Sequence, residues 1–202
     1  MTRVAIIDSG IHAGHPHVGP VAGGVAIATD GSENGDFIDR LGHGTAVAAV
    51  IREKAPHADL FAVKIFDRKL STDVHALVHA IRWCAARKMR WINLSLGTTN
   101  AEHTVLLQHA VDEAVAQGAT IVSAFEHDGA RWLPGSLPGA IPVLLDWDCP
   151  REECRIQVTD EGRKVYRASG YPRPIPGVPP ERNLNGISFA VANVTGLLAS
   201  KV

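Results

Sequence analysis

Residues 4–11 read VAIIDSGI, a run of four apolar residues followed by an acid, a serine and a glycine. A short apolar run without polar alternation predicts a strand that is buried on both faces, as in a parallel sheet. Asp8 comes directly after this run, and functional groups in open α/β sheets gather at the carboxyl ends of strands. The stretch therefore predicts an α/β fold with a candidate functional carboxylate at its first strand.

Further strand-like runs alternate with helix-period segments along the chain. Such alternation implies right-handed βαβ crossovers and a mainly parallel sheet that is covered on both faces. Residues 168–185 are rich in Pro, Gly and Arg without clear periodicity, and we expect them to form a long surface loop. The predicted strands are residues 4–7, 60–66, 90–94, 119–124 and 140–145, and the predicted helices are residues 45–53, 73–88, 101–117 and a final stretch from residue 189.

The composition is that of a folded domain and excludes several other classes of protein. The chain has 202 residues, of which 46% are hydrophobic, and its 20 basic and 21 acidic residues give a net charge of −1. This balance builds in no general attraction to nucleic acid or to an anionic membrane. No apolar stretch approaches the roughly 20 residues that span a bilayer, and the beginning of the chain lacks the zones of a signal peptide. We therefore expect one domain over residues 1–202, located in the cytoplasm, with no nucleic-acid or membrane partner.

Three segments of the sequence carry chemically distinctive residues in a fixed order. Asp8 lies in the first, His43 stands between two glycines in DRLGHGTAVAAVI at residues 39–51, and Ser188 precedes an apolar helix in NGISFAVANVTGLLA at residues 185–199. This series resembles the subtilases, the subtilisin-like serine proteases, whose blocks read D-[ST]-G, H-G-T-x-V-A and G-T-S-M-A. Between the blocks, AVKIF, INLSLG and LPGSLPGAIPVLLD resemble further segments of that family, so the likeness covers nearly the entire chain.

The resemblance implies a minimal subtilisin-like three-layer α/β sandwich and an Asp-His-Ser triad that acts through an acyl-enzyme. A serine hydroxyl is a poor nucleophile until a neighbouring imidazole accepts its proton, and a carboxylate holds that imidazole in the right tautomer. In this sequence Asp8 takes the orienting role, His43 is the general base and then the acid, and Ser188 is the nucleophile. This chemistry needs no cofactor.

One expected group of the family is replaced. Subtilases supply a hydrogen bond to the oxyanion from an Asn in a G-N-x-G context, whereas this sequence reads E-H-D-G, with His127 at the position of the Asn. An imidazole can also donate a hydrogen bond, and the backbone N–H of Ser188 supplies a second donor. Loss of one donor lowers turnover by about 10²–10³, a magnitude measured in the same family. Two alternatives therefore stay open: a serine endopeptidase that uses His127, and a weak or inactive subtilase-like module that binds peptides.

The resemblance also assigns residues that bind the substrate. Residues 95–97 correspond to the family's substrate-binding strand, beside which a polypeptide adds as a further strand through main-chain hydrogen bonds. Residues 124–126 correspond to the opposite wall of the pocket nearest the scissile bond, and Trp132 corresponds to the base of that pocket. The candidate binding residues are thus Ser95, Leu96, Gly97, Ala124, Phe125, Glu126 and Trp132.

Two of these side chains bear on which residue precedes the cut. Phe125 and Trp132 are bulky, which favours a shallow pocket that accepts Gly or Ala before the scissile bond. Glu126 offers an alternative, because a carboxylate in the pocket selects a basic side chain. Ordinary core packing explains Phe125 and Trp132 almost equally well.

We expect no metal site. Histidines recur in the HAGHPH run at residues 12–17. Two interpretations of this run stay open, a metal-binding loop and a solvated loop, and the solvated loop is favoured. Residues 43–60 lack the inserted calcium-binding loop that is common in secreted subtilisins. Cys149 and Cys154 lack the second half of a zinc motif, and an odd total of three cysteines suits a reducing compartment.

These features together predict a dedicated processing protease. The sequence shows no propeptide, secretion signal or calcium loop. Within the family it resembles the small cytosolic members that remove leader peptides, such as the form that acts in quinohemoprotein amine dehydrogenase maturation. We therefore expect a polypeptide partner, a leader-bearing precursor peptide or small enzyme subunit. A nucleotide-binding α/β protein is disfavoured, because G-x-G-x-x-G and G-x-x-x-x-G-K-[ST] are absent.

Overall fold

The computed structural model describes residues 1–201. Every helix and strand predicted above is present, with its bounds moved by a few residues. In chain order the elements are β1 (Arg3–Asp8), β2 (Gly23–Ile27), β3 (Glu33–Asn34), α1 (His43–Lys54), β4 (Asp59–Lys64), α2 (Val74–Ala86), β5 (Trp91–Leu94), α3 (Thr104–Ala116), β6 (Thr120–Ala124), β7 (Glu126–His127), β8 (Ala130–Arg131), β9 (Ile141–Leu145), β10 (Arg155–Val158), β11 (Lys164–Ala168) and α4 (Ile187–Ala199), with 3₁₀ turns at Ala101–His103 and Pro180–Arg182.

Nine of the strands form one sheet, in the order β10-β11-β9-β6-β5-β1-β4-β2-β3. Neighbouring strands from β11 to β2 run parallel, whereas the outermost pair at each edge is antiparallel. The prediction of a mainly parallel sheet is therefore confirmed. The strands β7 and β8 form a separate hairpin.

The strands that the sequence did not reveal are short or lie toward the edges of the sheet. β3, β7 and β8 have two residues each, and β10 is exposed along its whole length. Neither length nor apolar alternation marks such segments, so they escape a search for hydrophobic periodicity.

The helices cover the sheet in two layers. α1 and α4 pack together against one face, and α2 and α3 pack together against the other. In β1, Val4 and Ile6 join the core beneath α1 and α4, while Ala5 and Ile7 join the core beneath α2 and α3. This explains why the VAII run has no polar alternation, and it confirms the three-layer α/β architecture. Among the helices of residues 1–201, none is both long and apolar enough to cross a membrane.

The strand order reverses between β1 and β5. After β1 the sheet grows through β4 and β2 toward one edge, whereas β5, β6 and β9 extend toward the other edge. A crevice opens at such a reversal, at the carboxyl ends of the strands, and α/β proteins place their sites there. Asp8 ends β1 and Ser95 follows β5, so two of the predicted site segments lie at this crevice.

Candidate active site

Asp8 and His43 meet at the carboxyl end of β1. Asp8 is the last residue of β1 and is fully buried, and His43 is the first residue of α1. Nδ1 of His43 lies 2.8 Å from Oδ1 and 3.0 Å from Oδ2 of Asp8. Gly42 leads into the helix with a φ of 84°, and an added Cβ on Gly44 would lie 2.2 Å from the carbonyl oxygen of Gly10. The glycines on both sides of His43 therefore let α1 approach β1 closely enough for this contact.

Two opposing influences set the pKa of His43. Burial lowers it, but the hydrogen bond to Asp8 and the negative charges of Asp8 and Asp39 outweigh burial, so the pKa is raised above its ordinary value of 6.5. A carboxylate at Nδ1 keeps the proton of the neutral ring on that nitrogen, which leaves Nε2 as the acceptor. His43 thus has the orientation and the tautomer of a general base.

Asp39 organises the loop that leads into His43, a role that the sequence motifs do not reveal. Burial raises the pKa of this carboxyl, but the hydrogen bonds to it outweigh burial and lower the pKa. Because its donors come from both sides of His43 and from the end of β1, Asp39 fixes the backbone that carries the imidazole. The donors are Ser9 Oγ (2.9 Å), the backbone N–H groups of Leu41 (2.9 Å), Gly42 (2.9 Å) and Thr45 (2.8 Å), and Thr45 Oγ1 (2.6 Å).

Ser188 is the second residue of α4, and it lines the same cavity of about 420 Å³ as His43. The ring of His43 packs on Phe189, with the ring centroids 5.7 Å apart. The Ser188 hydroxyl donates to the Ser95 carbonyl oxygen at 3.2 Å, and in the described chain it makes no hydrogen bond to His43. A rotation about the Cα–Cβ bond of Ser188 is therefore required before His43 can accept the hydroxyl proton.

A buried chain of hydrogen bonds joins the nucleophile helix to β5. Thr195 Oγ1 on α4 lies 2.9 Å from Asn93 Oδ1, and Asn93 Nδ2 donates to Ser95 Oγ at 2.8 Å. Ser95 Oγ in turn donates to the Ser188 carbonyl oxygen at 3.3 Å. These contacts fix the start of the predicted substrate strand against the residue that carries the nucleophile. One signal of these contacts is visible in the sequence, because Asn93 and Thr195 are polar residues within largely apolar elements.

The cavity beside His43 and Ser188 has an apolar end that the sequence did not predict. Leu96 and Gly97 of the predicted substrate strand line one side of the cavity. The other side comes from the segment between β4 and α2 and from the first turns of α2. A peptide lying along residues 95–97 would place an apolar side chain in this end. The apolar residues that contribute are Phe66, Leu70, Val74 and Leu77.

Comparison with known proteins agrees with this geometry. Residues 1–129 match the sequence profile of the subtilase family. The chain belongs to the subtilase family. The thermostable alkaline protease of Halalkalibacterium halodurans is 37% identical over 98% of this chain and 55% of that protein. The minor extracellular protease Epr of Bacillus subtilis is 37% identical over 71% of this chain and 22% of that protein. This subtilase thus spans about half or less of the length of these relatives.

A solved structure supports the same fold. The structure of the prenylagaramide maturation protease PagA superposes with a TM-score of 0.69 over 98% of this subtilase and 74% of that chain. The two sequences are 23% identical in the superposition. The likeness therefore confirms the subtilisin-like architecture.

The wall that was predicted to lie opposite the substrate strand consists of Ala124, Phe125 and Glu126. In this subtilase these residues lie outside the lining of the cavity. Phe125 is buried beneath the guanidinium groups of Arg131 and Arg163, which lie 4.1 Å and 5.3 Å from its ring centroid. Glu126 Oε2 lies 3.4 Å from Arg131 Nε, and Ala124 is enclosed at the end of β6. Within the described chain, none of these three predicted residues lines the cavity with His43 and Ser188.

Trp132 does line the cavity, at the position predicted for the base of the pocket. An added Cβ on Gly97 would lie 2.9 Å from Cε3 of Trp132, so the indole rests directly against the substrate strand. Backbone hydrogen bonds between Thr98 and Leu133, at 3.0 Å and 2.8 Å, hold the two segments together. The space between the strand and the indole is therefore narrow.

His127 lies behind Trp132 in the β7–β8 hairpin. The two rings pack edge to face with their centroids 6.2 Å apart, and Nε2 of His127 lies 3.5 Å from Oδ2 of Asp128. Trp132 stands in the cavity lining, whereas His127 in this conformation does not. The imidazole is thus next to the wall of the site and within 3.5 Å of the exposed Asp128 carboxylate.

Proposed function

We propose that this subtilase is a serine endopeptidase that uses Asp8, His43 and Ser188 to remove a leader segment from a precursor polypeptide. The observation that carries the proposal is the 2.8 Å contact of His43 Nδ1 with Asp8, beside a cavity that Ser188 also lines. Burial of the carboxylate and the hydrogen bonds around it keep this pair in place without substrate. Family membership supplies independent support, because subtilases are serine endopeptidases.

Acylation of the serine is the first chemical step. Ser188 Oγ turns from Ser95 toward Nε2 of His43, which accepts the proton while Oγ attacks the carbonyl carbon of the scissile bond. Asp8 stabilises the imidazolium that results. His43 then donates this proton to the nitrogen of the leaving amine, the C–N bond breaks, and the acyl group stays on Ser188. A water molecule that is deprotonated by His43 hydrolyses the ester and restores the serine.

The tetrahedral intermediate needs hydrogen-bond donors for its negative oxygen. The backbone N–H of Ser188 lies in the first turn of α4, where N–H groups have no helical partner and the helix dipole favours negative charge. His127 is the second donor in this proposal. Its contact with Asp128 is long, at 3.5 Å, and Asp128 is exposed, so the ring can leave this contact for the oxyanion.

The narrow space beside Gly97 supports a small residue before the scissile bond. In this proposal Trp132, which lines the cavity close to Gly97, forms the base of the pocket and leaves room for Gly or Ala. The alternative, selection of a basic residue by Glu126, is weakened because that carboxylate already faces Arg131 at 3.4 Å. We therefore propose cleavage after a small residue.

A leader-bearing precursor is the substrate class that we propose, and the cytoplasm is the proposed place of cleavage. A protein of similar fold is a maturation protease by its name, which fits a processing task. The odd total of three cysteines suits a reducing compartment. Trp132 narrows the pocket, which suits a selective protease rather than a digestive one.

A second candidate is a peptide-binding module without protease activity. The Ser188 hydroxyl donates a hydrogen bond to the Ser95 carbonyl oxygen in this structure, and His127 replaces the usual amide side chain that binds the oxyanion. Both features favour this candidate. The intact Asp8–His43 contact opposes it, because binding alone does not need an oriented imidazole.

Covalent labelling separates the two candidates. A fluorophosphonate reacts only with an activated serine, so we expect it to label the wild-type protein and the Ser200→Ala control, whose serine lies at the exposed end of α4. The Ser188→Ala variant should stay unlabelled. No label on a folded wild-type protein would reject the endopeptidase and leave the binding module.

A further inference from the structure

A second cavity, of about 480 Å³, has Gly42, the residue before His43, in its lining. Its walls come from the loop after β1, from the residues that lead into α1, and from the loop between β11 and α4. We call it the histidine cavity, because His12, His15 and His17 line it. Its lining includes Gly42, so it adjoins the catalytic residues on a side separate from the substrate strand at residues 95–97.

Five of the side chains that line this cavity are arginine or histidine. Arg40 and Arg173 line it together with the three histidines. Asp39 is the acid in the lining, but it is buried, and both of its oxygens accept hydrogen bonds from the surrounding loop. Both oxygens are thus occupied by donors of the loop, although the charge of Asp39 still acts on its surroundings, as it does on His43. Arg40 pairs with Asp36 at 2.8 Å and lies 4.0 Å from Asp67, and burial and Arg173 lower the pKa of His17, so the uncompensated charge lies at Arg173.

Two of these groups are held in fixed orientations. The backbone N–H of His17 donates to Nδ1 of His15 at 3.2 Å, which places the proton of neutral His15 on Nε2. His15 therefore presents an N–H donor even when it is uncharged. The Arg173 guanidinium donates to the carbonyl oxygen of His17 at 3.1 Å, and its Nε lies 3.9 Å from Glu53. Glu53 also forms a salt bridge with Arg151, and its Oε2 lies 3.6 Å from Nζ of Lys54. It therefore neutralises Arg173 only in part.

Apolar side chains complete the cavity. Leu41, Ile175 and Leu184 line it with 38%, 44% and 49% of their surfaces exposed. Exposed aliphatic residues beside a group of hydrogen-bond donors and cations suit an amphipathic occupant. That occupant carries carboxylates for the basic side chains and aliphatic groups for the leucines and the isoleucine.

We propose that the histidine cavity binds an acidic, leucine-rich segment of the polypeptide substrate, away from the scissile bond. The inference rests on the proposed function for the identity of the occupant as part of a substrate. Its basis is charge complementarity together with the position of the cavity next to His43. Such a site raises the local concentration of the scissile segment and restricts cleavage to chains that carry the acidic segment.

Binding to the uncleaving Ser188→Ala variant tests the inference independently of catalysis. The probe is a fluorescein-labelled peptide of alternating glutamate and leucine, and its partner peptide has lysine in place of glutamate. Fluorescence polarisation at low salt should show the acidic peptide binding at least about threefold more tightly than the basic one. Equal binding of the two peptides, or no binding of the acidic one, would overturn the proposal whether or not the protein is a protease.

Two further substitutions locate the binding. His12→Glu introduces a negative charge at a side chain that makes no hydrogen bond within residues 1–201. Arg173→Gln removes a positive charge. Each should weaken binding of the acidic peptide by about threefold to tenfold. The control is Arg82→Gln, an exposed arginine of α2 on the other face of the sheet, paired with Glu113. Unchanged affinity in folded His12→Glu protein, or an equal loss in Arg82→Gln, would also overturn the proposal.

Discussion

Buried hydrogen bonds hold the wall of the cleft that carries Asp8 and His43, whereas exposed ion pairs hold the β7–β8 hairpin with His127. On the first wall, Asp39 accepts hydrogen bonds from both sides of His43. On the second wall, Arg131 lies 3.4 Å from Glu126 and 3.2 Å from Glu161, and these side chains are 46%, 39% and 68% exposed. Buried, charge-assisted hydrogen bonds contribute more to stability than exposed ion pairs. We therefore expect the wall that carries His43 to be held more firmly than the hairpin that carries the proposed oxyanion donor.

Asp8→Asn gives the largest effect expected on either wall. The amide keeps the shape of the carboxylate but favours the wrong tautomer of His43, so kcat should fall by about 10⁴. Peptide hydrolysis by the purified variant measures this loss, and circular dichroism checks its fold. Asp36→Asn is the control, because Asp36 is an exposed carboxylate that pairs with Arg40. A loss of less than tenfold in Asp8→Asn would mean that the buried wall does not orient the base.

The pH profile of the same pair of proteins sharpens this test. His43 acts as a base only when neutral, and its pKa is raised above 6.5. For wild-type protein, kcat/KM should therefore fall as the pH decreases through a midpoint above 6.5. Asp8→Asn removes the charge and hydrogen bond that raise this pKa, so the midpoint should move to lower pH in the residual activity. An unmoved midpoint would assign the titration to another group.

Asp39→Asn tests whether the buried wall depends on charge-assisted hydrogen bonds. An amide nitrogen cannot accept the bonds from Thr45, so the free energy of unfolding should fall by about 2 kcal/mol at pH 7. Because the pKa of Asp39 is lowered on folding, its stabilisation is present above the ordinary value of 3.8 and is lost as the pH falls through the folded value. Urea unfolding at pH 7 and pH 3 measures the difference. An equal loss at both pH values would contradict this assignment.

His127→Ala probes the exposed wall. Removal of an oxyanion donor should lower kcat at least about tenfold while KM changes little, because the donor acts on the transition state. Steady-state kinetics on one peptide give both constants, and His79→Ala is a matched control, since His79 pairs with Glu33 outside the site. If kcat stays within twofold of the wild-type value, His127 is not the donor.

Trp132→Ala should change selectivity more than rate. Loss of the indole opens the space beside Gly97, so kcat/KM for peptides with Leu before the scissile bond should rise about tenfold relative to those with Ala. Competition between two such peptides, analysed by mass spectrometry, measures this ratio. Trp147→Ala serves as the control, because Trp147 is 47% exposed and packs on Tyr171. An unchanged ratio would place the specificity pocket elsewhere.

The same contrast separates what the sequence predicted from what it did not. Asp8, His43 and Ser188 stand in contiguous motifs next to strands or helices with clear apolar patterns, so their positions could be read directly. The positions of Phe125 and Glu126 depend on how a two-residue hairpin strand turns, and Phe125 packs against Arg163, which is far away in the sequence. Local patterns contain no information about such partners. The same holds for the contact of Asn93 with Thr195, which forms only when β5 and α4 meet in three dimensions.

The contribution of the first strand and the last helix to one site has a consequence during synthesis. Asp8 lies on β1 at the centre of the sheet, while Ser188 arrives on α4, which packs against α1 and β5. A ribosome releases these elements in order, so a nascent chain holds its oriented base well before it holds its nucleophile. In the proposed protease, hydrolysis would therefore require that α4 has docked against α1 and β5, because only then does Ser188 lie beside His43.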